Sequence, residues 1–278
     1  MQAKKTLGVV EAPISESIPV DLAELNTKLD LMLRLMEEQL MLQRVGLLED
    51  GHVLRFAHGG TQDIALSLPN AQDDFVQRTI LKTRNFYEAR LLATVQGMNL
   101  IDEKTTVCDV GANIGNHSVF FGKVLGAKQV LAFEPQPNVY STLCRNLELN
   151  GLTEALAYNC LVGAKSGRGE VAKFNPRNLG GTAFVAAKDG SIPMVALDDL
   201  IDAEEMKNLG FVKIDTEGMQ MAVLQGAKKI LKAKKPAIWV ELLQRDKDAY
   251  VEAATLLEGM GYSSVQIGPN DHVFTHGK

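Results

Sequence analysis

One stretch narrows the folds open to this chain more than any other. The apolar run Thr106-Val107-Cys108 delivers an acid, Asp109, and then a loop spaced D-x-G-x-x-x-G through Gly111 and Gly115 into a helical segment. A strand that hands over to a glycine loop and a helix opens a strand–loop–helix unit, whose ligand lies outside the carboxyl end of the strand. Gly111 lets the backbone turn and approach a ligand, and Gly115 opens the helix. Short apolar runs at 129–134, 156–162, 211–215 and 237–242 follow, mostly separated by amphipathic helix-length segments, the pattern of a parallel sheet. Residues 262–267 and 272–276 instead flank Gly268-Pro269-Asn270-Asp271. That turn is too short for a parallel crossover and right for an antiparallel hairpin. The expected fold is α/β and Rossmann-like: a mostly parallel seven-stranded sheet closed by an antiparallel C-terminal hairpin.

The loop chemistry separates two kinds of nucleotide site. A dinucleotide fingerprint reads G-x-G-x-x-G, because a pyrophosphate wants a helix N-terminus free of nearby carboxylates. Here Asp109 stands where a cation would be welcome, while backbone donors around Ile114 to Asn116 can receive a carboxylate. Glu134 ends the next apolar run, about twenty residues beyond the glycines, where an acid can accept both hydroxyls of a ribose; Pro135 follows it. Asn159, at the end of the third run, can donate to a purine ring or serve as a satisfied core amide. These residues point to a nucleoside-bearing, cationic ligand.

Composition sets the frame. The chain has 278 residues and a formal net charge of -5, which argues against affinity built on neutralising nucleic-acid phosphates or an anionic membrane. Cys108, Cys144 and Cys160 lack C-x-x-C spacing and sit among apolar neighbours, as reduced buried thiols would. The first residues meet acid and proline before a signal-peptide core can form, and no stretch is long enough to span a bilayer, so the cytoplasm is the expected compartment. Residues 1–20 read as a flexible leader. Over 21–45, Leu22, Leu25, Leu29, Met32 and Met36 step by threes and fours, the spacing of a short coiled-coil helix that can pair copies of the chain, although extra leucines widen the stripe. Residues 46–70 read as an accessory hairpin about His58-Gly59-Gly60-Thr61-Gln62, and 71–100 as helical, ahead of the sheet in a main domain over 71–278.

With these residues placed, the sequence resembles the FkbM family of methyltransferases from about Asn85 to Tyr262. The likeness is carried by Phe86-Tyr87-Glu88, the loop from Asp109 through Asn116-His117-Ser118, Phe133-Glu134-Pro135, Asn146-Leu147-Glu148-Leu149-Asn150-Gly151, Leu197-Asp198-Asp199-Leu200 and Val212-Lys213-Ile214-Asp215-Thr216-Glu217-Gly218. It implies a class I methyltransferase fold, S-adenosylmethionine as cofactor, and methylation of a hydroxyl on a sugar or secondary metabolite. Together with the reading of the residues above, it gives cofactor contacts from Glu88, Asp109, Gly111, Asn113, Gly115, Asn116, His117, Ser118, Glu134, Pro135, Asn159 and Asp215, of which Asn159 rests on its place at the end of the third run alone. Two departures bear on substrate contacts: Met219 and Gln220 stand where the family commonly has a second acid, and Ala196 where it often has threonine.

An alcohol must lose its proton as it attacks a methyl group, and a carboxylate or histidine is the economical base. Asp215 is the first choice, Glu217 its helper, and His117 a further candidate; capping of the helix near Met219 is the competing role for both acids. Asp198 and Asp199 read as helix caps rather than as metal ligands, and metal-independent transfer is expected. Two alternatives stay open: a cofactor-binding pseudo-enzyme or assembly subunit, and a nicotinamide-dependent oxidoreductase using Glu134.

Overall fold

The computed structural model describes residues 22–49, 52–60, 62–242 and 247–277; the expected leader lies outside them. In chain order the elements are α1 (Leu22–Val45), β1 (Val53–His58), β2 (Gln62–Ser67), α2 (Phe75–Thr83), α3 (Ala89–Gly97), β3 (Thr106–Val110), α4 (Asn116–Val119) and β4 (Gln129–Phe133). There follow α5 (Pro137–Leu149), β5 (Leu156–Tyr158), β6 (Leu161–Val162), β7 (Gly167–Lys173), β8 (Ala183–Ala186), β9 (Ile192–Val195) and β10 (Leu209–Ile214). The chain ends with α6 (Gln220–Gln225), α7 (Lys228–Lys234), β11 (Ala237–Glu241), α8 (Lys247–Glu258), β12 (Tyr262–Gln266) and β13 (Asp271–His276).

Seven strands form the main sheet in the order β12-β13-β11-β10-β3-β4-β5. The strands from β11 to β5 pair in parallel, and β13 pairs antiparallel with both β11 and β12. This is the expected Rossmann-like methyltransferase sheet. Alternation along the strands explains its burial on both faces. Val107, Val130, Phe211, Trp239 and Val273 join one core, with the hairpin and α2 to α5. Their neighbours Cys108, Leu131, Val212, Ile238 and Phe274 join the other, with α6 to α8.

Four local readings need correction. The helical stretch 71–100 breaks into α2 and α3 because Arg84 and Glu88 take left-handed conformations, with φ of 50° and 56°. The apolar run 156–162 is two strands: Asn159 and Cys160 turn the chain out of the main sheet, and β6 joins a second sheet in the order β6-β9-β7-β8, which the sequence reading did not anticipate. The hairpin is no appendage. The Asn146 side chain receives Ser67 N–H at 2.6 Å and that of Asn150 receives Ala65 N–H at 3.1 Å, so α5 holds β2. Finally, Cys108 and Cys160 are buried, but Cys144 is half-buried.

The chain divides into two units, residues 1–40 and 41–278. In the first, the described side chains from Leu22 to Leu40 are all exposed. In the second, Met41 is buried in the hairpin-side core. Among the described residues no helix is long and apolar enough to cross a membrane.

Candidate active site

A cleft opens at the carboxyl ends of β3, β4, β10 and β11. Loops that follow parallel strands converge there, which is why the position was foreseeable from strand order alone. Of the residues expected to hold a ligand or do chemistry, Glu88, Gly111, Asn113, Asn116, His117, Glu134, Pro135, Asp215 and Glu217 all line it.

Four expected contacts lie elsewhere. Asp109 is fully buried inside the chain: the Ser118 hydroxyl donates to its Oδ2 at 2.6 Å, and Lys213 Nζ lies 3.8 Å from Oδ1, which has no hydrogen-bond partner among the described residues. Ser118 is thereby committed as well. Gly115, at φ 84°, lets the chain turn where a Cβ would press on Leu143 at 2.6 Å; its role is packing. The Asn159 amide donates to the Glu134 carbonyl at 2.9 Å, the satisfied-amide alternative. Asp109 and Gly111 were both read as ligand contacts, yet Gly111 also serves strand packing, because a Cβ there would collide with the carbonyl oxygen of Asp215.

At one end of the cleft, Glu134 is 4% exposed. Its two oxygens accept the backbone N–H of Gln136 at 2.8 Å and of Asn113 at 3.1 Å. Burial pushes its carboxyl up to about 7, and these N–H groups oppose the rise. A carboxylate oriented in this way keeps lone pairs for a diol. Asn113, at φ 50°, aims its side chain beside Gly180, and its Oδ1 is buried without a partner among the described residues. Asn178 Oδ1 and Thr216 Oγ1 share that condition. Buried polar atoms of this kind are rare in folded chains, and a water, an ion or a ligand can supply the missing bond.

At the other end, ionisable groups crowd together. Lys213 is 2% exposed, lies across the strands from Asp109, and ion-pairs with Asp215 at 2.9 Å. Burial opposes its charge, but Asp215 and Asp109 outweigh burial and push its ammonium up. The Trp239 ring lies 5.6 Å from the same ammonium. Burial would raise Asp215, but the Lys213 cation overrides it and holds that carboxyl below the usual range. Asp215 therefore does not cap α6, which has no side-chain cap. His117 Nε2 lies 3.2 Å from Glu88 Oε2 without hydrogen-bond alignment, and the ring stands edge-on to Trp239. Asn116 clamps the bend carrying Glu88: its side-chain oxygen accepts Tyr87 N–H at 2.9 Å, and its amide donates to Tyr87 O at 3.1 Å.

Two contributors were missed. Glu241, at the end of β11, lines the cleft together with Asp215, whose negative charge helps burial to raise its carboxyl; the apolar run 237–242 contained it, but nothing in its spacing set it apart. The second is the loop supplying Asn178, Gly180, Gly181 and Thr182. Its cluster of Asn, Pro and Gly marked a loop, not a wall of the site. Asp74 fixes this wall by accepting both Gln77 N–H, as the cap of α2, and Leu179 N–H at 2.8 Å. Asp198 acts as the expected cap, though for a distant helix, accepting the N–H groups of Lys229 and Ile230.

Comparison with known proteins identifies the family. Residues 109–264 match the methyltransferase FkbM domain; the bend with Phe86-Tyr87-Glu88 lies before the matched stretch. Methyltransferase 1 of Beauveria bassiana is 27% identical over 180 residues, which are 56% of this chain and 72% of that protein. The hexuronic acid methyltransferase AglP of Haloferax volcanii is 30% identical over 129 residues, 45% of this chain and 51% of that protein. The crystal structure of methyltransferase FkbM from Methylobacillus flagellatus shares the fold, with a TM-score of 0.50 at 18% identity, over 88% of this chain and 60% of that one. The family match begins at the acid that ends β3 and runs through both ends of the cleft into β12, and on it the chain belongs to the FkbM methyltransferase family.

Proposed function

We propose that the protein transfers a methyl group from S-adenosylmethionine to a hydroxyl of a sugar or secondary metabolite, without a metal. The observation that carries this reading is a set of buried polar atoms without a hydrogen-bond partner among the described residues, Asn113 Oδ1, Asn178 Oδ1 and Thr216 Oγ1, lining one cleft together with Glu134 and Asp215. The donor set suits such a ligand. Glu134 is arranged to take a ribose diol, and Glu88, Asp215 and Glu217 offer negative charge to an ammonium and a sulfonium. When bound, that donor supplies an activated methyl group with a good leaving group. The chain's own work is to align the acceptor oxygen, exclude water and remove a proton.

A hydroxylic acceptor is supported by the acids at the far end of the cleft, which accept hydrogen bonds from a polyol, and by the name of the Haloferax relative, a hexuronic acid methyltransferase. Those acids, with a net charge of -5, speak for a small molecule or glycan over a polyanionic nucleic acid. The exposed leucines and methionines of α1 support a second, separate role in self-association.

Calorimetry with S-adenosylmethionine, followed by label transfer to a panel of glycans and metabolites in excess chelator, tests the reading. Binding together with label on a hydroxyl is the expected result. Failure to bind the donor overturns the donor assignment, while tight binding without transfer to any acceptor favours a cofactor-binding scaffold. The mass in solution of a chain lacking residues 1–40 tests the helix; an unchanged assembly state removes its role.

A further inference from the structure

Several elements bring ionisable side chains to the acceptor end of the cleft. Glu241 ends β11, Lys213 lies in β10 with Asp215 just after it, and Asp271 opens β13 opposite Glu241. The bend before α3 adds Tyr87 and Glu88, and α4 adds His117. Most of these groups are already engaged. Asp271 accepts the indole N–H of Trp239 at 2.9 Å, His117 sits against Glu88, and Asp215 receives the Lys213 ammonium at 2.9 Å. An acid held in this way by a buried ammonium is a weak proton acceptor, so Asp215 fits poorly as the base.

Glu241 stands in the opposite balance. Burial, then the negative charges of Asp215 and Asp271, push its carboxyl up to about 8, with Lys213 as the counterweight. Near neutrality Glu241 therefore keeps its proton while Asp215 stays charged.

Resting on the S-adenosylmethionine reading above, we infer that Glu241 takes the acceptor's proton and that the charge of the methyl donor sets its readiness. A cation entering the cleft drives the proton off Glu241, and loss of that charge on transfer returns a proton to it from the acceptor. In the transfer, a lone pair of the acceptor oxygen forms the bond to the methyl carbon. The carbon–sulfur bond breaks with its pair remaining on sulfur, and the O–H proton passes to the Glu241 carboxylate. One positive and one negative charge give neutral products. A unit charge about 6 Å away, at an effective dielectric of about 20, moves a carboxyl's midpoint by about two pH units, enough to take Glu241 from mostly protonated to mostly ionised.

Calorimetry near neutral pH in buffers of different ionisation enthalpy reads this directly, by comparing S-adenosylmethionine with its neutral thioether product, S-adenosylhomocysteine. The sulfonium ligand should release more protons than the thioether, by a margin approaching about one per site. Glu241→Gln should abolish the difference and lower kcat by about 10²–10⁴-fold. Equal proton release for the two ligands in the wild type overturns the inference, as does a difference that survives in Glu241→Gln. The wild-type comparison needs no variant, so misfolding of the glutamine form leaves the test intact. Absence of donor binding would instead fell the donor reading itself.

Discussion

Asp109 and Lys213 show what a single residue's surroundings decide. Asp109 ends a strand next to a glycine loop, and in sequence such an acid looks the same whether it faces a ligand or the interior. Its partner lies 104 residues on, since Lys213 is its cross-strand neighbour in the parallel register, and that register is set by tertiary packing. Removing the cation tests the pair: Lys213→Met leaves the buried Asp109 and the half-buried Asp215 without it and should cost about 3–5 kcal/mol, measured by urea unfolding at constant pH. Glu241 gives a second prediction. Its carboxyl is raised in the folded state, so its contribution to stability is full below the unfolded value and fades as pH climbs through about 8. Melting temperature should fall between about pH 6 and about pH 9 in the ligand-free wild type, and fall less in Glu241→Gln. Asp215, held low, acts in the opposite direction: its stabilisation is lost as pH falls through its depressed folded value.

Elements were legible where a period and a punctuation mark coincided. The strand, glycine loop and helix around Gly111, the parallel runs and the closing hairpin all had both. The break between α2 and α3 had neither: Arg84 and Glu88 hold left-handed conformations without a glycine or proline to announce them. The second sheet escaped because β6 is only two residues long and continues an apolar run that reads as one strand. Two glycines separate close packing from mere conformation. At Gly111 an added Cβ meets the backbone of Asp215, whereas at Gly218, φ 82°, it meets nothing within 4 Å. Gly111→Ala should therefore part β3 from β10 and abolish the cooperative melt, while Gly218→Ala should cost only about 1–2 kcal/mol of left-handed strain. Thermal denaturation followed by circular dichroism distinguishes them; equal losses would contradict the packing argument.

For the whole molecule, the division at Leu40/Met41 separates a helix with exposed side chains from a unit that contains both cores and the entire cleft. A chain beginning at Met41 should keep the affinity for S-adenosylmethionine and the proton release of the full chain, whatever happens to its assembly state; a loss of donor affinity would show that residues 1–40 serve the site. Within the larger unit, the wall from Asn178 to Thr182 differs in kind from the rest of the cleft. It belongs to no strand of the main sheet, and it is fastened from outside by Asp74 and by the Gln136 amide on Leu179 O at 2.9 Å. The wall is thus a faceplate bolted to a fixed chassis. Exchanging that plate would reshape one side of the cleft and leave the seven-stranded sheet in place; because the plate lies beside Asn113 and is held by the same Gln136 that steadies Glu134, its outline and the setting of Glu134 would change together.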